Sequence, residues 1–432
     1  MPDRSHDLRS ADIAIVGAGP AGIAAAVRAA QRGRSVVVLD ENPRPGGQIW
    51  RHSRRSTLPR LARRWLEALD RSGAALVTGA TVIDAEPDLR LTVEHRTGSF
   101  VLDPGAIILA TGARERFVPF PGWTLPGVVG VGGAQALLKS GADVRDRTAV
   151  VAGSGPLLLP VAAALAGAGA RVTLVAEQAR RRRLARFAAG LWRSPARLMQ
   201  AAHYRAGFVR ARYTTDAWVV RATGDDRVRD VVVQDRRGAR SLPCDLLCTG
   251  HGLVPSTELA RLLGAALDGG AVAIDGEQQT TVLGVFAAGE PTGVAGVESA
   301  LVQGQIAGVT ATGGAPGRAL LMARDRHRRY ARDLETAFAL RSELRALPDA
   351  ETLVCRCEDV TFARCAEHPS LRAAKLHTRA GMGPCQGRVC GPALTFLFGW
   401  SADSVRVPVT PARVSALLEP HAASAAQGGP SW

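Results

Sequence analysis

Lysine is almost missing from this chain: Lys139 and Lys375 are the only two in 432 residues, and the formal net charge of +15 rests on arginine. Aromatic residues make up only 5%. The arginines are dispersed apart from the run 180–183 with Arg186, and so basic a chain with so few aromatics does not read as a nucleic-acid binder. That run reads as a solvated helix face, and the arginine excess as the mark of a GC-rich genome or of docking to an acidic partner. Long apolar runs are missing too. The longest, residues 156–170, is too short to span a bilayer and is interrupted by Pro160 and several glycines, so no membrane insertion is expected. Residues 1–10 are polar and lack the apolar core of a signal sequence, which points to a cytoplasmic protein. In that setting seven cysteines, five of them within residues 355–390, argue against a disulfide framework and for metal or redox use.

The length allows two or three domains with full cores. Residues 12–26, DIAIVGAGPAGIAAA, run from an apolar strand through Gly17, Gly19 and Gly22 into an alanine-rich helix. Gly17 permits a sharp turn, Gly19 lets backbone approach a pyrophosphate, and Gly22 lets the helix lie close on the strand. Pro20 and Ala21 open that helix, whose N-terminus faces the phosphates. The next strand ends in Asp40, placed to accept hydrogen bonds from the ribose hydroxyls of an adenine dinucleotide, with Glu41 beside it as the alternative. In the loop 41–50, Gly46 and Gly47, followed by Gln48, let backbone pass close to a flavin. Residues 41–60 contain no cysteine, and Cys244 and Cys248 have the wrong spacing for a redox pair, so dithiol chemistry is not expected and those two read as buried thiols.

The apolar strand AIILATG (106–112) ends in Thr111 and Gly112, a strand end that resembles the exit from the first domain of flavoproteins with two dinucleotide-type domains. A second turn follows at 148–159, TAVVAGSGPLLL, with Gly153 and Gly155 in place but Leu158 where a third glycine belongs. A bulky side chain there pushes the helix off the strand, which favours a structural domain over a working NAD(P) site. Glu177, at the next strand end, disfavours NADP, whereas the nearby arginines favour a phosphate. Residues 246–256 lead back to the first domain, and VFAAGE (285–290) supplies Gly289 and Glu290, an acid able to bind the ribityl hydroxyls of FAD. Residues 293–308 read as a glycine-rich helix entry whose first amides stabilise negative charge on a reduced flavin. Together the two halves specify FAD.

Cys355 and Cys357 form a C-x-C pair, Cys385 and Cys390 a C-x4-C pair. Four thiolates on two tight loops suit either a 2Fe-2S cluster or zinc. Gly381, Gly383 and Gly387 let amides point at sulfur, and a flavin in the same chain gives iron a purpose that zinc lacks. Cys365 reads as a packed residue of an intervening helix.

The order of FAD motif, altered second motif, arginine-rich helical arm (318–346), CRCEDVT (355–361) and TRAGMGPCQGRVC (378–390) resembles one family over residues 11–410. That family is the FAD and iron-sulfur subunits of bacterial amine dehydrogenase complexes, of the D-hydroxyproline dehydrogenase, opine dehydrogenase and hydrogen cyanide synthase type. The C-terminal part is similar to bacterioferritin-associated ferredoxin. The segment between the cysteine pairs is shorter than in the family and carries Pro369 where a helix would continue. The expected fold is therefore α/β, with two Rossmann-like domains of the glutathione/thioredoxin reductase type and a small α-rich 2Fe-2S domain. The expected boundaries are 1–123 and 249–317 for the FAD domain, 124–248 for the second domain, 318–350 for a helical connector, 351–410 for the 2Fe-2S domain and 411–432 for a tail. The resemblance implies a hetero-oligomer in which an FAD-dependent amine oxidase-like beta subunit oxidises a C–N bond, and to which a small ferredoxin-like protein contributes. No catalytic side chain stands out in this chain. A stand-alone NAD(P)H-dependent reductase and a non-enzymatic iron-sulfur carrier are the alternatives.

Overall fold

The computed structural model describes residues 10–52, 58–401 and 405–418. The polar N-terminus up to residue 9 and the tail beyond 418 lie outside the described residues. The chain divides into two compact units, one of residues 1–114, 255–331 and 404–432, the other of residues 115–254 and 332–403.

The first unit is built on one sheet in the order Ala75–Thr78, Val36–Asp40, Ser10–Val16, Gly98–Leu109, Leu91–His95, Thr81–Ala85. Val36–Asp40 is buried along its whole length, as a parallel strand covered on both faces must be. The twelve-residue strand Gly98–Leu109 belongs to two neighbourhoods. Its first part pairs antiparallel with Leu91–His95, and its second part pairs parallel with Ser10–Val16 and Val285–Ala287. Alternate residues of these strands feed two cores: Ile13, Ile15, Val38 and Ile108 on one face, Ala14, Val37, Leu39 and Ile107 on the other. On the first face the helix Pro20–Ala30 meets the helix Val297–Thr310 backbone to backbone. A side chain at Gly304 or Gly308 would stand 2.1 or 2.4 Å from the carbonyl oxygens of Ala21 and Ala25.

The second unit repeats the plan with a parallel sheet ordered Arg212–Thr215, Arg171–Glu177, Thr148–Ser154, Leu246–His251, Val128–Gly130. An antiparallel sheet of Trp218–Thr223, Asp230–Asp235 and Gly238–Pro243 packs Val219, Val231 and Val233 against Val150 and Leu174 of the parallel sheet. Cys244 and Cys248 are buried here as core residues, and burial pushes the Cys244 thiol up to about 11. The arginine run enters the helix Arg181–Gly190, which has no buried residue, as a solvated face requires.

The arm is shorter than its sequence pattern. It is helical over Arg318–Phe338 and then stops, because residues 338–341 turn their backbone polar groups toward Ser154 and Gln178. Among the described residues no helix is long and apolar enough to cross a membrane. Beyond the arm, the hairpin Leu353–Cys355/Val360–Thr361 and the helices Phe362–Ala366, Leu371–Thr378 and Cys390–Phe398 close over their own apolar cluster, which includes Val354, Cys365, Ala374 and Leu394. Pro369 falls in the break between two of these helices.

Candidate functional site

The turn between Ser10–Val16 and Pro20–Ala30 requires two of its glycines for different reasons. Gly17 has φ +106°, and a side chain there would stand 2.3 Å from the Ala110 carbonyl oxygen. At Gly22 it would stand 1.8 Å from the Gly17 oxygen, so the helix could not seat on the turn. Gly19 is different: nothing lies within 4 Å of where its side chain would project. The helix begins at once with Pro20, has no side-chain cap and carries no acid in its first turn. Its first amides are therefore left for an anion.

Groups from distant parts of the chain surround this turn. Asp40 is buried, with Oδ2 accepting from the Ala18 amide at 2.6 Å and Oδ1 from the Asn42 amide at 2.7 Å. Oδ1 also accepts from the Asn42 side-chain amide at 2.9 Å, so Oδ2 is the oxygen that keeps a lone pair for a ribose hydroxyl. Glu41 is exposed and points to no partner in the turn, which leaves Asp40 as the better placed of the two acids. The Gly46 amide donates to the Ala18 carbonyl at 2.7 Å, and a side chain at Gly47 would stand 3.0 Å from the Gly19 Cα, so this glycine pair lets the loop lie on the turn. Gln48 is exposed. Thr111 donates its hydroxyl to the Ser256 carbonyl at 2.7 Å, and Gly112, at φ +70°, accepts from the Ser256 amide. Gly289 abuts the first helix, since a side chain there would meet the Ala21 Cβ at 2.8 Å. Next to it Glu290 has no side-chain hydrogen bond among the described residues, and burial raises its carboxyl. A half-buried acid with no side-chain hydrogen bond among the described residues, set beside an open glycine turn, fits the ribityl end of FAD. Gln303, which the sequence did not single out, accepts from the Gly289 amide at 2.7 Å and the Thr292 hydroxyl at 2.8 Å and so holds that bend.

The second turn is built differently. Its helix starts only at Leu158, which is buried in the core of the unit, with Pro156 and Leu157 still in the turn. Glu177 is fully buried and accepts from the amides of Gly155 at 2.9 Å and Ala179 at 2.8 Å. Burial pushes its carboxyl up to about 7 against the pull of those two amides. His251, at the end of the neighbouring strand, is held neutral by burial and then by Arg116, with its pKa down at about 4.

The four clustered thiols lie together in the C-terminal part of this unit. Cys355 and Cys390 are buried, Cys385 is half-buried and Cys357 is exposed. They are linked as a chain of pairs, Cys355 to Cys390, Cys390 to Cys385 and Cys385 to Cys357. The Cys390 thiol, set between Cys355 and Cys385, is pushed up, while Cys355 falls to about 6 and Cys385 to about 4. The Gly381 amide donates to the Cys355 sulfur at 3.5 Å. Among the described residues no three His, Cys, Asp or Glu side chains are set as one metal-coordinating group. The donor number and the softness of the sulfurs, with Cys355 and Cys385 drawn toward the thiolate, nevertheless fit a sulfur-ligated metal. Cys365 is fully buried in the helix Phe362–Ala366, and burial raises its thiol to about 11.

Comparison with known proteins bears on both halves. The model of the pyridine nucleotide-disulphide oxidoreductase family matches residues 11–343. The A-subunit of opine oxidase from Rhizobium meliloti is 32% identical over 98% of this chain and 90% of its own length. The HcnB component of hydrogen cyanide synthase from Pseudomonas aeruginosa is 32% identical over 91% of this chain and 92% of its own. Among solved structures, L-proline dehydrogenase from P. horikoshii superposes with a TM-score of 0.69 at 18% identity, covering 94% of this chain and 79% of that one. Thioredoxin reductase from T. acidophilum gives 0.57 at 21% identity, covering 71% and 98%. At such identities the last two show the fold alone.

Proposed function

The chain belongs to the pyridine nucleotide-disulphide oxidoreductase family and is an FAD-dependent oxidoreductase, and we propose that it is the FAD and 2Fe-2S electron-transfer subunit of a cytoplasmic, hetero-oligomeric amine or imino-acid dehydrogenase. One observation carries the reading: a four-thiol cluster lies in the same chain as an open, uncapped glycine turn. Bound at those two places, FAD takes up two electrons and gives them out singly, and a 2Fe-2S cluster passes them on one at a time.

Each set of residues then has a defined task. The amides of Gly19, Ala21 and Gly22, presented by the Gly17 bend and the helix start at Pro20, hold the diphosphate, and Asp40 binds the adenosine ribose, with Glu41 in reserve. Gly47 and Gln48 border the flavin, Thr111 and Gly112 close the strand end against Ser256, and Gly289 with Glu290 holds the ribityl chain. Cys355, Cys357, Cys385 and Cys390 ligate iron. The substrate, an amine of the D-hydroxyproline, opine or glycine type, is oxidised on an FAD-dependent amine oxidase-like beta subunit, and a small ferredoxin-like protein completes the complex. Both relatives are named as one subunit of an enzyme, which supports that division of labour.

The test is copurification with a tagged copy of this chain under anaerobic conditions. FAD, iron and acid-labile sulfide together with an amine-oxidising partner are expected. Robust amine oxidation by this chain alone, or stoichiometric zinc without sulfide, would overturn the reading.

A further inference from the structure

We propose that residues 338–341 are the built-in occupant of the second glycine-rich turn, which serves as a socket anchoring the arm and does not take NAD(H) or NADP(H). The inference rests on the geometry of the second unit alone and is independent of the metal and of the amine substrate.

In an open parallel sheet the ligand crevice lies outside the carboxyl ends of the strands, where the strand order reverses. In the second unit that place is the end of Thr148–Ser154, flanked by Arg171–Glu177 on one side and Leu246–His251 on the other. Ser154 closes the central strand, and Gln178 follows its neighbour directly. Both side chains hold the arm. The Ser154 hydroxyl donates to the Phe338 carbonyl at 2.8 Å. Gln178 donates through Nε2 to the Ser154 oxygen at 2.8 Å and to the Ala339 carbonyl at 3.3 Å, and its Oε1 accepts from the Arg341 amide at 3.2 Å. Gln178 also accepts at its backbone carbonyl from the Arg341 guanidinium at 3.2 Å.

Two rings clamp the ends of the segment. Phe338 meets Phe187 edge-on at 5.4 Å, and the Arg341 guanidinium lies 4.1 Å above the Trp218 ring while pairing with Glu343 at 3.1 Å. The Glu115 carboxylate takes the Gly132 amide at 2.7 Å and the Gly133 amide at 3.1 Å at the start of another helix of this unit, so those amides too are met from inside the protein. The cavity beside the segment, about 300 Å³, is walled by residues 339–342 together with Gln178, Arg180 and Arg183.

Hydrogen exchange on the full-length chain, with NADH and NADPH as probes, tests the assignment. In the unmodified protein neither nucleotide at millimolar concentration changes exchange at residues 153–158 or 338–345, and neither shows saturable binding. Gln178→Ala removes the acceptor of the Arg341 amide, which then exchanges about tenfold faster, as expected for one net hydrogen bond, while residues 17–22 stay unchanged. Ser154→Ala is the milder second variant and speeds exchange at 338–341 in the same direction. Saturable binding of either nucleotide to the unmodified chain, or unaltered exchange at Arg341 in folded Gln178→Ala protein, would overturn the proposal.

Discussion

The two glycine-rich turns of this protein start from nearly the same sequence and end in opposite conditions. At Gly19 and at Gly155 alike a side chain would project into open space, so the middle glycine does not separate them. What separates them is the start of the helix and the covering of the flanks. Neither helix has a side-chain cap, but the first begins at Pro20, immediately after Gly19, whereas the second begins at Leu158, with Pro156 and Leu157 still in the turn. The first turn is bordered by a loop of two glycines and by Glu290, which has no side-chain hydrogen bond among the described residues; the second by Ser154 and Gln178 bonded to the chain's own carbonyls. A glycine pattern thus permits anion binding, but the surrounding hydrogen bonds decide whether a ligand is admitted.

The sharpest way to break this contrast is to give the first turn the residue that stands in the second. Gly22→Leu sets a Cβ 1.8 Å from the Gly17 oxygen, a clash with backbone that cannot relax by rotating a side chain. The first unit should lose all FAD and several kcal/mol of stability, on the scale of large core disruptions. Flavin content and denaturant unfolding measure both; normal flavin content would show that the third glycine is not what seats the helix. The reverse change, Leu158→Gly, should not confer nucleotide binding, because the arm still holds Ser154 and Gln178 at the strand ends beside the turn.

Replacing Cys385 or Cys355 with serine asks whether the two units keep separate cofactors. Iron and sulfide should be lost completely while FAD stays bound, and Cys365→Ser should leave both in place. Metal analysis beside the flavin spectrum gives the answer, and iron loss in the Cys365 variant would refute the choice of ligands.

Gly19→Val is a gentler probe, since a Cβ there has no protein atom within 4 Å and projects toward the diphosphate space. FAD affinity should fall by about a hundredfold with little change in the unfolding midpoint of the flavin-free protein, on the order of 3 kcal/mol of binding lost. Unchanged affinity would place the diphosphate elsewhere.

The smallest effect concerns pH. Glu177 holds its proton more tightly in the folded protein, near 7 against an ordinary 4.5, so between those values the folded state binds more protons and stability falls as pH rises. His251, near 4 against 6.5, binds fewer protons when folded and makes stability rise with pH from about 4 to about 6.5. The two slopes oppose each other in one unit, where the Arg116 charge acts on His251 and the Glu177 charge on Tyr213. Glu177→Gln should remove the falling limb and leave a net rise toward neutral pH, worth a few degrees in Tm. A pH profile of unfolding that matches the unmodified protein would show that Glu177 is not the group responsible.

Much of the first site was legible because its signals are local. Gly17, Gly22 and Asp40 sit at fixed spacings on one strand–turn–helix–strand unit, and the all-buried run of Val36–Asp40 follows from its composition. The four cysteines were legible for the same reason, as two short pairs. Gln303 was not, because a glutamine that holds the Gly289 bend looks like any helical glutamine until the helix is packed. Nor were Ser154, Gln178 and Arg341, whose bonds join residues more than a hundred positions apart.

By itself, then, the sequence determined the glycine turns, the strand ends and the thiol pairs, since each depends on backbone sterics or side-chain chemistry within a few residues. It also determined that Leu158 would disturb the second turn. Only the tertiary structure decided what that disturbance led to. The helical pattern of the arm ran on past Phe338, yet the carbonyls of Phe338 and Ala339 leave the helix for Ser154 and Gln178, because buried polar groups at a strand end must be satisfied by whatever the fold brings within reach.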